Sequence, residues 1–139
     1  MGNVGLPILL GGAVYALWRS PSLLMFEWFD ALGTGDLLML LRRNVAGLTT
    51  YMPEAIRYSF PDAAWVYAAT YFQGFVWRTG SRACYWGWLS IPPLLGVGGE
   101  IGQASGLVPG TFSYIDLCVC VIAAGLATVM TLKRRRNEV

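Results

Sequence analysis

Four polar residues that could bind a ligand lie at the ends of apolar segments of this chain. Asp62 opens one such segment, Glu100 and Gln103 follow another, and Asp116 opens the last. Carboxylates and amides can hold a hard cation or accept hydrogen bonds, and two carboxyls with separated pKa values can serve as general acid and base. Ser113 lies three residues before Asp116, and we group it with these four as a candidate ligand-binding residue.

The sequence contains no recognisable catalytic motif. The chain has no His, which excludes histidine bases and histidine metal ligands. Its three Cys form no CxxC pair and predict neither a metal site nor a disulfide framework. No recognisable nucleophile or phosphate-binding loop accompanies the carboxylates. The sequence therefore assigns no catalytic residue, cofactor or metal, and it favours a non-enzymatic protein without deciding the question.

Composition indicates a membrane protein. Of the 139 residues, 55% are hydrophobic and only 13% are charged, whereas soluble domains carry about a quarter charged residues. The mean hydropathy is +0.51. A net charge of +2 gives no broad electrostatic support for nucleic-acid binding. Membrane lipids are the expected partners, and nucleic acid is not.

Four apolar segments predict membrane-spanning helices, at about 4–18, 63–77, 84–99 and 115–132. Each is shorter than the roughly 20 residues of a standard span, but aromatic and Arg flanks can extend a span by snorkelling. We predict an all-α fold: one integral membrane helical bundle with four transmembrane helices, forming a single domain over residues 1–139.

The region between the first two spans has a different pattern. Two short helices, at about 21–32 and 37–46, carry charged residues beside large apolar ones, which is typical of helices that lie on the membrane surface. Ser20 followed by Pro21 predicts an N-cap for the first of them.

The alternative for this region is a fifth span across about 23–41. Glu27, Asp30 and Asp36 oppose it. On insertion scales an acidic residue costs about 2.5–3.5 kcal/mol at a helix centre. Whether the region lies on the membrane or crosses it stays open at this point.

Positive charge predicts the orientation of the spans. Residues 133–136 are Lys-Arg-Arg-Arg directly after the last span, which places the C-terminus in the cytoplasm. Arg78 and Arg82 then fall in a cytoplasmic loop, as the rule demands. With four spans, the same alternation brings Asp62, Glu100, Gln103 and Asp116 to the outer membrane face.

Purely structural roles compete with this site. Segments 59–62 and 113–116 both have the form Ser-x-x-Asp before an apolar run, which is a capping pattern at a helix N-terminus. Glu100 follows a Gly-rich apolar run, where a carboxylate is costly unless it is paired. Arg57 is the nearest plausible partner for Glu100.

One family shows this order of motifs. Ser59-Phe-Pro-Asp62 enters a span, Glu100-Ile-Gly-Gln103 follows the next one, and an Asp begins the last. This resembles the VanZ-like family of small bacterial membrane proteins, whose pattern has Pro-Asp, then Glu-x-x-Gln, then Asp at these places. The resemblance covers about residues 59–130.

The chain departs from the family where the family is basic. Thr111 stands where VanZ-like proteins often carry an Arg, and Ala63 and Ala64 follow the Pro-Asp where they often carry Lys and His. The resemblance implies a multi-pass protein of the bacterial cytoplasmic (inner) membrane, associated with the cell envelope. The family is linked to glycopeptide resistance, which supplies no reaction for this chain.

Two functions remain in view. The first is an outward-facing acidic pocket that binds a lipid headgroup, a cell-wall precursor or a cation. The second is an oligomeric membrane effector, or a pore or assembly subunit, without enzymatic activity. It rests on the small residues Ala123, Ala124, Gly125 and Ala127 of the last span, because such faces let helices associate closely.

Overall fold

The computed structural model describes residues 2–138, and the side chains of residues 2–136, as helices joined by short turns. The order is α1 Gly2–Trp18, α2 Leu24–Ala31, α3 Gly35–Val45, a 3₁₀ helix Ala46–Thr50, α4 Glu54–Val76, α5 Arg82–Ala104 and α6 Tyr114–Glu138. Residues 2–138 contain no strand, so the all-α prediction is confirmed.

Helix α4 is the centre of the bundle, and α1, α5 and α6 all pack against it. Gly11 of α1 lies against α4, where a Cβ atom at Gly11 would come within 2.9 Å of the Ala64 side chain. Nearer the end of α1, Arg19 reaches Asp62 and the Tyr58 carbonyl. Helix α1 therefore runs antiparallel to α4 and ends beside the first turns of α4.

Helices α4 and α6 approach closely at a glycine. A Cβ atom at Gly74 would lie 2.7 Å from the side chain of Thr131. The Thr131 hydroxyl is buried and lies 3.0 Å from the hydroxyl of Tyr85 on α5. This contact joins three helices at the end of the bundle far from Asp62.

The small residues of α6 serve this packing unequally. Ala123, Ala124 and Ala127 are buried inside the chain. Gly125 is exposed, and a Cβ atom built there would meet nothing within 4 Å. Three of the four small residues therefore pack within the bundle, and the fourth points outward.

Within residues 2–138, one helix, over Tyr114–Arg136, is long and apolar enough to cross a membrane, and α1 is apolar but shorter. The four predicted spans lie on α1, α4, α5 and α6 in turn. The predicted interfacial helix 37–46 corresponds to α3.

The predicted start of α2 is wrong. The helix begins at Leu24, and its N-cap residue Leu23 makes no side-chain capping bond. Ser20 Oγ instead accepts from the Ser22 backbone N–H at 3.4 Å and lies 2.8 Å from Ser22 Oγ. These two serines bond to each other in a turn that delays the helix.

The capping role predicted for segment 59–62 is also wrong. Helix α4 begins at Glu54, with Pro53 at the N-cap. Ser59 and Asp62 therefore lie inside the helix, and the buried Pro61 lies between them. Because the helix starts directly after Pro53, the second proline, Pro61, lies inside it.

Helix α3 secures the end of α1. Arg42 donates to the carbonyl oxygens of Ala16 and Arg19, each at 2.7 Å, and its guanidinium lies over the Phe26 ring. Carbonyls at a helix C-terminus lack intrahelical partners and attract cations. The contact fixes the backbone at Arg19.

The opposite end of the bundle is basic. Arg134 lies 3.4 Å from the Tyr71 hydroxyl, and Arg135 donates to the Gly80 carbonyl at 3.1 Å. The Arg135 guanidinium also lies over the Tyr85 ring. The arginines after the apolar run of α6 thus pack against the end of α4 and the start of α5.

Candidate functional site

A polar cavity of about 560 Å³ lies where α1 ends, α4 begins, α5 ends and α6 begins. All five residues singled out by the sequence line it, on three different helices and the loop before α6. The polar lining residues are Arg19, Glu54, Tyr58, Ser59, Asp62, Glu100, Gln103, Thr111, Ser113 and Asp116.

The α4 residues that line the cavity lie on one face of the helix. Ala55, Tyr58, Ser59 and Asp62 recur at intervals of three and four, which places them on one face of a helix. Because α4 begins at Glu54, this face covers its first turns, beside the C-terminal turn of α5 and the first turn of α6. The longer α4 thus brings to the cavity residues that precede the predicted span.

Glu100 connects α5 to the start of α6. Its side chain is only 9% exposed, and its Oε2 atom accepts from the Ser113 backbone N–H at 3.2 Å. The Ser113 hydroxyl in turn accepts from the Asp116 backbone N–H at 3.3 Å. The capping role predicted for segment 113–116 is therefore confirmed, and the same segment lines the cavity.

The alternative pairing of Glu100 with Arg57 is wrong. Arg57 places its guanidinium over the Tyr58 ring, and its buried Nε atom has no hydrogen-bond partner. Within the described side chains, Glu100 is stabilised by a backbone N–H and not by an arginine. A hydrogen bond to a carboxylate is stronger than one between neutral groups.

The loop between α5 and α6 folds over Gln103. Helix α5 ends with Gly106 at φ 72°, and Leu107 N–H bonds back to the Gly102 carbonyl, which is a Schellman ending. Gly110 follows at φ 141°, and a Cβ atom there would lie 2.7 Å from the Gln103 amide. The positive φ favours glycine at 110, and the absence of a Cβ atom lets the loop lie close over the Gln103 amide.

Arg19 supplies the cation of the cavity. Its Nη2 atom lies 3.5 Å from Asp62 Oδ2 and 3.5 Å from the Tyr58 carbonyl oxygen. The rings of Tyr15 and Tyr58 lie 5.2 and 5.3 Å from its guanidinium carbon. The Nε atom of Arg19 is buried and has no hydrogen-bond partner. Both long contacts use Nη2, so within the described side chains the N–H donors of Nη1 are the ones left for a ligand.

Neighbouring groups act in opposite directions on the pKa of Asp62. Asp62 precedes the predicted span, and its side chain is 45% exposed. Burial raises the pKa of Asp62 above its ordinary value, Asp116 and Glu100 raise it further, and Arg19 lowers it. The carboxyls of Asp116 and Glu100 therefore lie near enough to Asp62 to oppose its ionisation.

The described side chains do not form a recognisable metal site. The described side chains, those of residues 2–136, contain no group of three His, Cys, Asp or Glu placed to hold one ion. Calcium takes six to eight oxygen ligands, and magnesium needs near-ideal octahedral geometry. The cavity combines separate carboxylates with a guanidinium, an arrangement that suits a ligand with charges of both signs.

Sequence reasoning missed Arg19, Tyr58 and Ser59 as site residues. A signal for Arg19 was present, because the first span ends on the same predicted face as the four polar residues. Tyr58 and Ser59 gave no such signal, since they become part of the site only because α4 begins at Glu54.

Nothing among protein-family models, curated proteins or solved structures matches this chain. The resemblance to the VanZ-like family therefore stays a prediction. Any function must be argued from the cavity and the helices that build it.

Proposed function

We propose that this chain is a small multi-pass protein of the bacterial cytoplasmic membrane, VanZ-like, whose cavity binds the headgroup of a membrane lipid at the non-cytoplasmic interface. The headgroup carries a phosphate and a protonated amine. One observation carries the proposal: Arg19 shares a single cavity with four carboxylates, those of Glu54, Asp62, Glu100 and Asp116.

The two charged groups of such a headgroup match the two kinds of side chain. Guanidinium groups bind phosphate through their N–H donors, and the described contacts of Arg19 use Nη2 and leave Nη1. A primary ammonium has three N–H donors, which three carboxylates can accept. Binding would relieve the repulsion that now opposes ionisation of Asp62.

The position of the cavity favours a lipid over a free cation. Four helices bearing the predicted spans meet the cavity with their ends, so the site lies at the depth of headgroups if those helices span. A quaternary amine has no N–H donor, so we expect ethanolamine-type headgroups to bind better than choline-type ones. A cell-wall precursor with an amine and a phosphate shares this chemistry.

Packing weakens the oligomeric alternative. It rested on the small residues of α6, and three of these are buried against the chain's own helices. They are not available to a second copy. We therefore propose binding by a single chain.

A titration with a soluble headgroup tests the proposal. Glycerophosphoethanolamine added to the purified protein in detergent should bind, as followed by calorimetry. Arg19→Gln should weaken binding about tenfold or more, since a hydrogen bond to a charged group contributes about 1.5–3 kcal/mol. Arg82→Gln, at the exposed start of α5 on the opposite end of the bundle, is the matched control and should bind normally.

Two carboxylate variants identify the amine site. Glu100→Gln keeps an oxygen that can accept from Ser113 N–H, and Asp116→Asn keeps the shape of its side chain. Both should lose affinity for glycerophosphoethanolamine while keeping that for glycerol phosphate. Equal binding of the headgroup by wild type, Arg19→Gln and both carboxylate variants would overturn the proposal.

A further inference from the structure

An apolar groove of about 340 Å³ lies beside the polar cavity, between α1 and α6 and above α4. Its floor is made by small residues, of which Ala64 is 6% exposed and Ala123 is 7% exposed. Its walls are long side chains that project outward, among them Leu6, Leu10 and Ile122. The groove is a shallow apolar depression on the side of the bundle.

Helix α6 connects the groove to the polar cavity. Ile115 lines the cavity, whereas Val119, Ile122 and Leu126 line the groove. These four residues are spaced by four, three and four, so they form one stripe along a helix face. A single ligand following this stripe from the N-terminus of α6 would pass from polar to apolar surroundings.

Helix α4 shows the same change of polarity. Ser59 and Asp62 line the cavity, and Phe60 and Ala63 line the groove. The two sets occupy adjacent faces of the same two turns. The polar and apolar linings therefore lie side by side on α4 and follow one another along α6.

We infer that an acyl chain of the lipid whose headgroup enters the cavity lies in this groove. The inference rests on the proposed function and names its ligand class: a diacyl glycerophospholipid with a primary amine, taken from the bilayer and not from water. An acyl chain leaves hydrocarbon for hydrocarbon, so the groove adds little hydrophobic free energy. Its effect is to align the chain so that the headgroup meets Arg19.

Photo-crosslinking in nanodiscs tests the inference. The probe is a phosphatidylethanolamine with a diazirine midway along one acyl chain, and adducts are mapped by mass spectrometry. Groove residues such as Leu10 and Ile122 should be labelled several-fold more than Leu94 and Leu95. Those two leucines on α5 are 67% and 71% exposed and report labelling by bulk lipid.

Two groove variants sharpen the test. Ala63→Leu should fill the groove and abolish the enrichment, whereas Ala83→Leu, an identical change at an exposed position outside the groove, should leave it intact. Ile122→Ala removes an exposed wall and should lower the enrichment even if Ala63→Leu does not fold.

The outcomes separate the inference from the proposed function. Uniform labelling of groove and α5 leucines, with glycerophosphoethanolamine still bound, would overturn the groove assignment and leave the cavity assignment standing. Loss of enrichment in Arg19→Gln would support the groove assignment, because the aligned headgroup is what retains the chain. Failure of glycerophosphoethanolamine to bind would overturn the proposed function itself.

Discussion

Ser113 illustrates how one residue can serve both the fold and the site. Its backbone N–H donates to Glu100, and its hydroxyl accepts from the Asp116 N–H. The first contact satisfies a carboxylate with low exposure, and the second satisfies a free N–H in the first turn of α6. The end of α5 and the start of α6 are therefore fixed relative to each other by a single residue.

Removing the Ser113 hydroxyl should destabilise the protein. Ser113→Ala deletes the cap of α6 and keeps the backbone N–H, so the unfolding free energy should fall by about 1 kcal/mol. Unfolding in a denaturing detergent series measures it. Ser113→Thr retains a hydroxyl and should lose less. Equal losses for the two variants would mean that the hydroxyl is not what stabilises the start of α6.

Asp62 should make stability depend on pH. Its folded-state pKa is raised by burial and by Asp116 and Glu100, so the folded chain holds this proton more tightly than the unfolded chain. The stabilisation is fully present below the ordinary pKa and is lost as pH rises through the raised value. Arg19 opposes the effect without reversing its direction.

The measurement compares Asp62→Asn with wild type over that pH range. The variant carries no titrating group, so the wild type should lose stability relative to it as pH rises. Asp36→Asn, at an exposed position of α3, controls for a general change in charge. A wild type that gained stability relative to Asp62→Asn with rising pH would contradict the assignment.

Helix ends explain what sequence reasoning could and could not predict. The pattern Ser-x-x-Asp at 113–116 predicted a cap, and the structure confirms it because a loop containing Gly106 and Gly110 precedes it. The identical pattern at 59–62 failed because α4 had already begun behind Pro53. The local pattern alone does not show which of two nearby prolines, Pro53 or Pro61, precedes the start of the helix.

The cavity could be predicted in part for the same reason. Alternation of four apolar segments was enough to suggest that Asp62, Glu100, Gln103 and Asp116 share one end of the bundle. The sequence could not show which arginine faces the carboxylates, because Arg57 and Arg19 both lie near them in the predicted arrangement. Only the antiparallel packing of α1 on α4 selects Arg19.

The α4–α6 contact should be sensitive to volume at Gly74. Gly74→Ala would place a Cβ atom 2.7 Å from the Thr131 side chain, and overpacking of this kind costs about 1–3 kcal/mol. Gly125→Ala is the matched control, since nothing lies within 4 Å of its added Cβ atom. Equal unfolding free energies for the two variants would argue against the close approach.

At the scale of the whole molecule, charge is divided between the two ends of the bundle. The carboxylates and Arg19 lie at one end, whereas Arg134 and Arg135 pack against the other. Helix α6 has 25 residues, so it extends over about 37 Å. That exceeds the roughly 30 Å of bilayer hydrocarbon, which lets one helix carry Asp116 and the basic tail to opposite faces.

This division predicts opposite compartments for two exposed positions. Leu107 lies in the loop between α5 and α6 and is 84% exposed, and Arg136 is exposed beyond the apolar run. In a chain whose native cysteines are replaced by Ala, Leu107→Cys should react with an impermeant maleimide added to intact spheroplasts. Arg136→Cys should react only after permeabilisation, because the positive-inside rule predicts that these arginines face the cytoplasm.

Thr79→Cys completes the topology test from a second loop. Thr79 lies between α4 and α5 at the basic end, so it should behave as Arg136→Cys does. If Leu107→Cys and Arg136→Cys became accessible together, α6 would not cross the membrane. The cavity would then lie on the same side as the basic tail, and a headgroup of the outer leaflet could not reach it.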